Sequence, residues 1–214
     1  MAGRVAIVAS VLTALGLGLL AFHDPGVAER LTAEDGAIEW IQVLLCAAAL
    51  LISVPSARSC YSAGRPIVFD VLILTGLAAI VIGEVDLDKR IFGVKIIATR
   101  FFVDQHIFLP YRMLAVAVVV GTPLAIGLCA LRNWRQLWFT GLDALRQVWG
   151  RVLLAAVLIF AVAQIFERPL GRVPGLPRYF LEESLELIAG IWFLVAATAR
   201  LRAEARVPRK TPTP

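Results

Sequence analysis

The stretch FLEESLELIAGIWFLVAATA, residues 180–199, decides the fold class of this chain. From Leu187 to Ala199 it contains no charged residue, and its three acids lie close to its beginning. A helix of about 20 apolar residues crosses the roughly 30 Å hydrocarbon core of a bilayer. Backbone polar groups in lipid must be satisfied within the segment itself. The stretch therefore predicts a transmembrane helix.

Five further apolar runs of 15 to 19 residues support a chain that crosses the membrane several times. They are Val5–Phe22, Ala37–Val54, Pro66–Gly83, Met113–Leu131 and Val152–Phe166. Hydrophobic residues make up 59% of the 214 residues and charged residues only 17%, which excludes an ordinary soluble enzyme and a disordered chain. We predict an all-α fold, a polytopic transmembrane bundle of about six spanning helices. Residues 1–206 should form this single bundle, and residues 207–214 a disordered polar tail.

The segment between the fourth and fifth runs predicts one interfacial helix. Trp134, Trp138 and Trp149 recur there at helical spacing, with Arg135 and Arg146 among them. Tryptophan beside cationic residues is typical of a helix that lies in the headgroup plane. Ordinary packing of Trp134–Trp149 against the bundle is the alternative.

The charges divide unequally between the two membrane faces that six spans define. The face that carries both termini holds 12 of the 21 basic residues but only 3 of the 16 acidic ones. The positive-inside rule then predicts cytoplasmic termini in a plasma membrane, with anionic lipids as partners of the basic face. The sequence pI near 9.6 needs no nucleic-acid partner, because no basic stripe with interleaved aromatic residues occurs.

The acidic residues at helix ends are the candidates for chemistry. Glu39 begins the second run, Glu84 ends the third, and Glu186 lies one turn inside the sixth. Since the second and sixth runs point one way and the third points the other, these three acids share one face of the membrane. We predict that they approach one another and name Glu39 and Glu186 as ligands or general bases.

Carboxylates are also ligands for hard divalent cations, so a metal ion is a candidate cofactor. The chain contains only two histidines and no Cys-x-x-Cys, which argues against a histidine-rich zinc site or a zinc finger. The metal-ligand candidates are Glu39, Glu84, Asp86, His106, Glu182, Glu183 and Glu186. The alternative for the whole group is a structural network of ion pairs.

Asp70 is the one acid placed inside a predicted helix near the basic face. Arg58 and Arg65 lie close to it in sequence. We interpret Asp70 as a structural residue that these arginines neutralise.

Two stretches resemble segments of a family of uncharacterised bacterial multi-pass inner-membrane proteins. Residues 34–40, EDGAIEW, are similar to a Glu-Asp-Gly-x-x-Glu-Trp helix opening, and residues 83–93, GEVDLDKRIFG, to a Glu-Glu-x-Ser-Trp-Gly-Gln-Arg-x-Phe-Gly segment. The second departs from its pattern at residues 86–89, where Asp-Leu-Asp-Lys stands. The resemblance implies a bacterial inner-membrane location and points to the same acidic residues, but it implies no reaction.

Two functions remain open from the sequence. In the first, an acidic pocket facing the periplasm binds a cation or a proton, or acts on a lipid headgroup. In the second, the chain is a non-catalytic accessory subunit that stabilises a larger membrane protein complex. The sequence does not decide whether the chain is an enzyme.

Overall fold

The computed structural model describes residues 1–32, 36–85, 90, 108–167 and 178–205. These residues form an all-helical fold without a strand, which confirms the predicted fold class. The α-helices are α1 Ala2–His23, α2 Pro25–Leu31, α3 Ala37–Ser62, α4 Val68–Glu84, α5 Leu109–Val116, α6 Thr122–Arg132, α7 Trp134–Arg146, α8 Val148–Glu167 and α9 Arg178–Ala205. The predicted tail at 207–214 lies outside the described residues.

Four of these helices are long and apolar enough to cross a membrane. The qualifying segments are Ala2–His23, Ala37–Ser62, Val148–Phe166 and Phe180–Ala205, and their length and composition support a membrane protein. The third predicted run forms α4, whose 17 residues reach only about 25 Å at 1.5 Å per residue. The fourth is interrupted by a π-helical segment, Ala117–Gly121. The predicted count of six spans is therefore not confirmed.

The interruption has a local cause in the sequence. Pro123 lies in the first turn of α6 and has no N–H to donate to the carbonyl four residues earlier. A prolyl ring also clashes with that carbonyl, and helices respond to such a conflict with a kink or a local π-bulge. The π-helical segment directly before α6 is such a response.

The predicted interfacial helix is shorter than the sequence suggested. Helix α7 ends at Arg146 because Gln147 has an extended backbone, with ψ of 153°. Trp149 therefore belongs to the first turn of α8, not to the same helix as Trp134. At the junction, a Cβ on Gly150 would lie 2.0 Å from the carbonyl oxygen of Ala144, so only glycine allows the two helices to approach this closely.

Helix α9 is the centre of the bundle and packs mainly against α3 and α8. Small buried residues on these helices, including Ala49, Ala156 and Ala189, let the backbones come close, as is usual between membrane helices. Phe160 and Phe193 fill the remaining space with an edge-to-face contact in which the ring centroids are 6.5 Å apart. This packing fixes the direction of α3, α4 and α9 and hence the ends at which their polar residues meet.

Candidate functional site

Glu186 is the most deeply buried acid among the candidates that the structure describes. It lies on α9 and is only 4% exposed. Its Oε1 accepts a hydrogen bond of 2.8 Å from Nε2 of Gln164 on α8. A hydrogen bond to a charged acceptor is about twice as strong as a neutral one. The amide thus holds the Glu186 carboxyl group at the interface of α8 and α9.

Gln42 brings a third helix to the same place. Its side chain, on α3, is completely buried and close enough to the Glu186 carboxyl group to interact with it. Neither amide atom of Gln42 makes a hydrogen bond of good geometry with another described residue. Gln42 therefore adds a buried polar group from α3 beside the Glu186 carboxyl group.

Three further candidate acids, Glu39, Glu84 and Glu182, lie near Glu183 and Glu186 at this end of the bundle. Glu183 lies within electrostatic range of Glu39, Glu84 and Glu182. Glu186 interacts in the same way with Glu84, Glu182 and Glu183. We call Glu39, Glu84, Glu182, Glu183 and Glu186 the carboxylate cluster.

The approach of acids from α3, α4 and α9 follows the helix directions that the sequence indicated. Glu39 reaches the cluster through Glu183, whereas Glu84 interacts with both Glu183 and Glu186. The candidates Asp86 and His106 lie outside the described residues. One buried oxygen, Oε2 of Glu183, has no hydrogen-bond partner among the residues that the structure describes.

The carboxylate cluster concentrates negative charge at one end of the bundle. Carboxyl groups brought together at the end of apolar helices require a compensating positive charge, which a proton, a metal ion or a basic side chain can provide. Within the described residues, no three His, Cys, Asp or Glu side chains are arranged to hold a metal ion. The divalent-metal site therefore stays a prediction, as does a catalytic role for Glu39 or Glu186.

Gln164 is a site residue that was not among the candidates from the sequence. It is the only amide in an otherwise apolar stretch of α8, and this isolated position in a predicted membrane span was the available signal. What the sequence could not show is that its partner lies 22 residues away on α9. Gln42 was not among the candidates either, although it lies three residues after Glu39 and hence on the same side of α3.

At the opposite end of the bundle lies Asp70, for which the sequence analysis named the wrong arginines as partners. Arg200 of α9, rather than Arg58 or Arg65, forms the buried ion pair with Asp70. The Arg200 Nε also donates a hydrogen bond to Oε1 of Glu204, at 3.2 Å. In the sequence, Arg200 only marks the end of the apolar run in α9. Its burial results from packing against α3 and α4, which the local sequence does not reveal.

Comparison with known proteins identifies no family for this chain. No family model matches the chain, and neither a curated protein nor a solved structure is found to be similar to it.

Proposed function

We propose that this protein is an integral membrane protein that binds a cation or a proton at the carboxylate cluster, with Glu186 as the central ligand. The observation that carries the proposal is the burial of Glu186 between α8 and α9, beside other acids and the buried Gln42 amide. An ionised carboxylate in such a place is expensive unless a positive charge accompanies it. A group that binds and leaves reversibly supplies that charge.

The membrane arrangement of the proposal uses six spans. Helix α4 and the helical stretch from Leu109 to Arg132 would cross the membrane in addition to the four long apolar helices. Both termini are then on the basic face, which the positive-inside rule assigns to the cytoplasm. The carboxylate cluster would open towards the periplasm of a bacterial inner membrane, and α7 would lie in the cytoplasmic headgroup layer.

Ligand-dependent stability tests the proposal without knowing the cation in advance. A ligand that binds only the folded protein stabilises it by about 2.7 kcal/mol at 100 times its Kd. We expect one of H⁺, Na⁺, Mg²⁺ or Zn²⁺ to raise the apparent Tm of the protein in nanodiscs. The isosteric Glu186→Gln variant should lose that increase. The exposed acid of α7 provides the matched control, Asp143→Asn, which should keep the increase.

Two outcomes of this Tm measurement would contradict the proposal. If no cation shifts the Tm of the wild-type protein, or if Glu186→Gln responds as the wild type does, the cluster is not a cation site. Its acids would then be structural.

An accessory-subunit function is the second candidate. None of the residues of α6 is buried and most are exposed, so this helix offers a large surface to lipid or to another protein. Native mass spectrometry of the protein extracted from its own membrane in mild detergent separates these cases. A stoichiometric partner supports the accessory function, whereas an isolated chain contradicts it.

A further inference from the structure

The Glu186 carboxyl group lies beside two buried amides from neighbouring helices. Nε2 of Gln164, on α8, donates a hydrogen bond to Oε1 of Glu186 at 2.8 Å. Gln42, on α3, is completely buried and interacts with the same carboxyl group. Because an amide carries N–H donors and a carbonyl acceptor, it can pair with a carboxylate or with a protonated carboxyl group. The amides around Glu186 therefore suit a group that changes between these two states.

The charges that act on Glu186 within the described part of the chain are all acidic. They come from Glu84 on α4 and from Glu182 and Glu183 on α9. Helix α3 adds Glu39, which acts on Glu183, whereas α8 presents the neutral Gln164. Several carboxylates in a poorly hydrated place cannot all remain ionised, because burial and like charges both disfavour the charged form. The cluster therefore favours a neutral, protonated carboxyl group at its most buried member.

The other described titratable groups on the elements around Glu186 do not compensate this negative charge. The buried Cys46 thiol of α3 lies within range of Glu186 but carries no positive charge. The described groups at the ends and on the surfaces of α1 and α2 are exposed, namely Arg4, His23, Asp24 and Arg30. The guanidinium of Arg90 lies over the ring of Trp40, 5.3 Å from its centroid, and is not among the charges that act on Glu186.

The helices beside Glu186 are packed closely. Gly190 lies one turn after Glu186 on α9, and a Cβ added there would lie 3.4 Å from Cβ of Leu45 and 3.7 Å from the carbonyl oxygen of Gln42. Cations such as Mg²⁺ and Ca²⁺ bind about six or more oxygen ligands. A cage of this size beside Glu186 would require α3 and α9 to separate, whereas a proton adds to a carboxyl oxygen without occupying space.

We propose that the cation bound at the carboxylate cluster is a proton, carried by Glu186 beside the amides of Gln42 and Gln164. The O–H of protonated Glu186 donates to the carbonyl oxygen of Gln42, which makes no hydrogen bond of good geometry with another described residue. Oε1 of Glu186, as the carbonyl oxygen, keeps the hydrogen bond from Gln164. This inference rests on the proposed function, since it names the cation that the site takes.

The pH dependence of the Tm in the absence of metal ions tests this assignment. The full chain in nanodiscs is unfolded from about pH 5 upward, above the ordinary glutamate pKa of about 4.3. The buffer contains a chelator and a bulky organic cation in place of Na⁺. A folded state that keeps one proton more than the unfolded state loses stability as the pH rises, and its unfolding equilibrium constant increases by up to about tenfold per pH unit. We expect the Tm to fall accordingly, and added Na⁺, Mg²⁺ or Zn²⁺ to leave it unchanged.

Substitutions assign the proton to Glu186. Glutamine resembles a protonated glutamate in shape and charge, so Glu186→Gln should fold and should lose most of the pH dependence. Asp143→Asn changes an exposed acid of α7 and is the matched control, which should keep the pH dependence. At the highest pH, where the wild-type protein carries the additional buried charge, Glu186→Gln should have the higher Tm.

Infrared spectroscopy of the wild-type protein supplies a second readout that needs no Glu186 variant. A protonated carboxyl group has a carbonyl stretching band that a carboxylate lacks, and this band should disappear as the pH rises. Gln164→Leu removes the donor to Oε1 of Glu186 and should shift the band. Gln136→Leu changes an exposed amide of α7 and should leave the band in place.

The contrary outcomes separate the proton from the cation site as a whole. If a metal ion raises the Tm through Glu186 while pH has no effect in the chelated buffer, the proton assignment is wrong and the cation site stands. Equal pH dependence in Glu186→Gln and in the wild-type protein would place the proton on another group and would also overturn the assignment. If neither protons nor metal ions change the Tm, the proton assignment and the proposed function both fail.

Discussion

The junction of α7 and α8 predicts that Gly150→Ala destabilises the protein. The added Cβ would lie 2.0 Å from the Ala144 carbonyl oxygen and 2.3 Å from its carbon, both in the backbone. Ordinary contact begins near 3.4 Å, so α7 must move by about 1.4 Å. Overpacking of this kind costs about 1–3 kcal/mol. Alanine recovers up to about 1 kcal/mol of helix propensity, so the net loss is at most about 2 kcal/mol, and contact with rigid backbone places it near this upper limit.

Thermal unfolding in detergent, followed by tryptophan fluorescence, measures this loss. For a chain of this length, about 2 kcal/mol corresponds to a Tm lower by about 4–8 °C. The matched control is Gly141→Ala in α7, where a Cβ meets nothing within 4 Å and the Tm should rise slightly or stay unchanged. If Gly150→Ala is as stable as Gly141→Ala, the close approach of the two helices is incorrect.

Three further predictions concern polar contacts between helices. Gln164→Leu should alter the cation response of the protein without abolishing its fold, because it removes the hydrogen bond to Glu186; an unchanged response in the nanodisc Tm assay would contradict this. Asp70→Asn should destabilise the protein by about 2–3 kcal/mol, less than an uncompensated buried charge would cost because Glu204 still pairs with Arg200, and Asp70→Asn/Arg200→Met/Glu204→Gln should recover much of the loss in a denaturation series. Ser10→Ala removes the acceptor of a 2.6 Å hydrogen bond from the Trp192 indole and should lower the free energy of unfolding by only about 0.5–1.5 kcal/mol, less than Asp70→Asn does. A larger decrease in Tm for Ser10→Ala than for Asp70→Asn would refute this order.

Helix direction explains why part of the site was predictable. An acid at the start of α3 and another at the end of α4 must lie at the same end of an antiparallel pair, whatever the packing. The order of the apolar runs along the chain therefore suffices to put Glu39, Glu84 and Glu186 at one end of the bundle. It does not indicate that Glu39 reaches the cluster through Glu183.

Contacts between distant helices were not predictable in the same way. Arg200 pairs with Asp70 across 130 residues, and two arginines nearer in sequence do not. The choice depends on the rotation of α9 about its axis, which its packing on α3 and α8 determines. The same packing brings Gln164 to Glu186. Hydrophobic periodicity cannot specify such rotations in helices that are apolar on most of their surface.

Local detail also limited how well the number of spans could be predicted from the sequence. The hydrophobic run that begins at Met113 looks continuous, but Pro123 interrupts the backbone hydrogen bonding and a π-helical segment results. Composition alone does not distinguish an interrupted span from a continuous one.

Infrared difference spectroscopy tests the central claim, cation binding at Glu186, most directly. The protein is held in nanodiscs while the bathing solution is exchanged between conditions with and without the cation, or between two pH values. We predict a carboxyl difference band in the wild-type protein and in Asp143→Asn. That band should be absent from Glu186→Gln. A Glu186→Gln spectrum identical to that of the wild type would contradict the account.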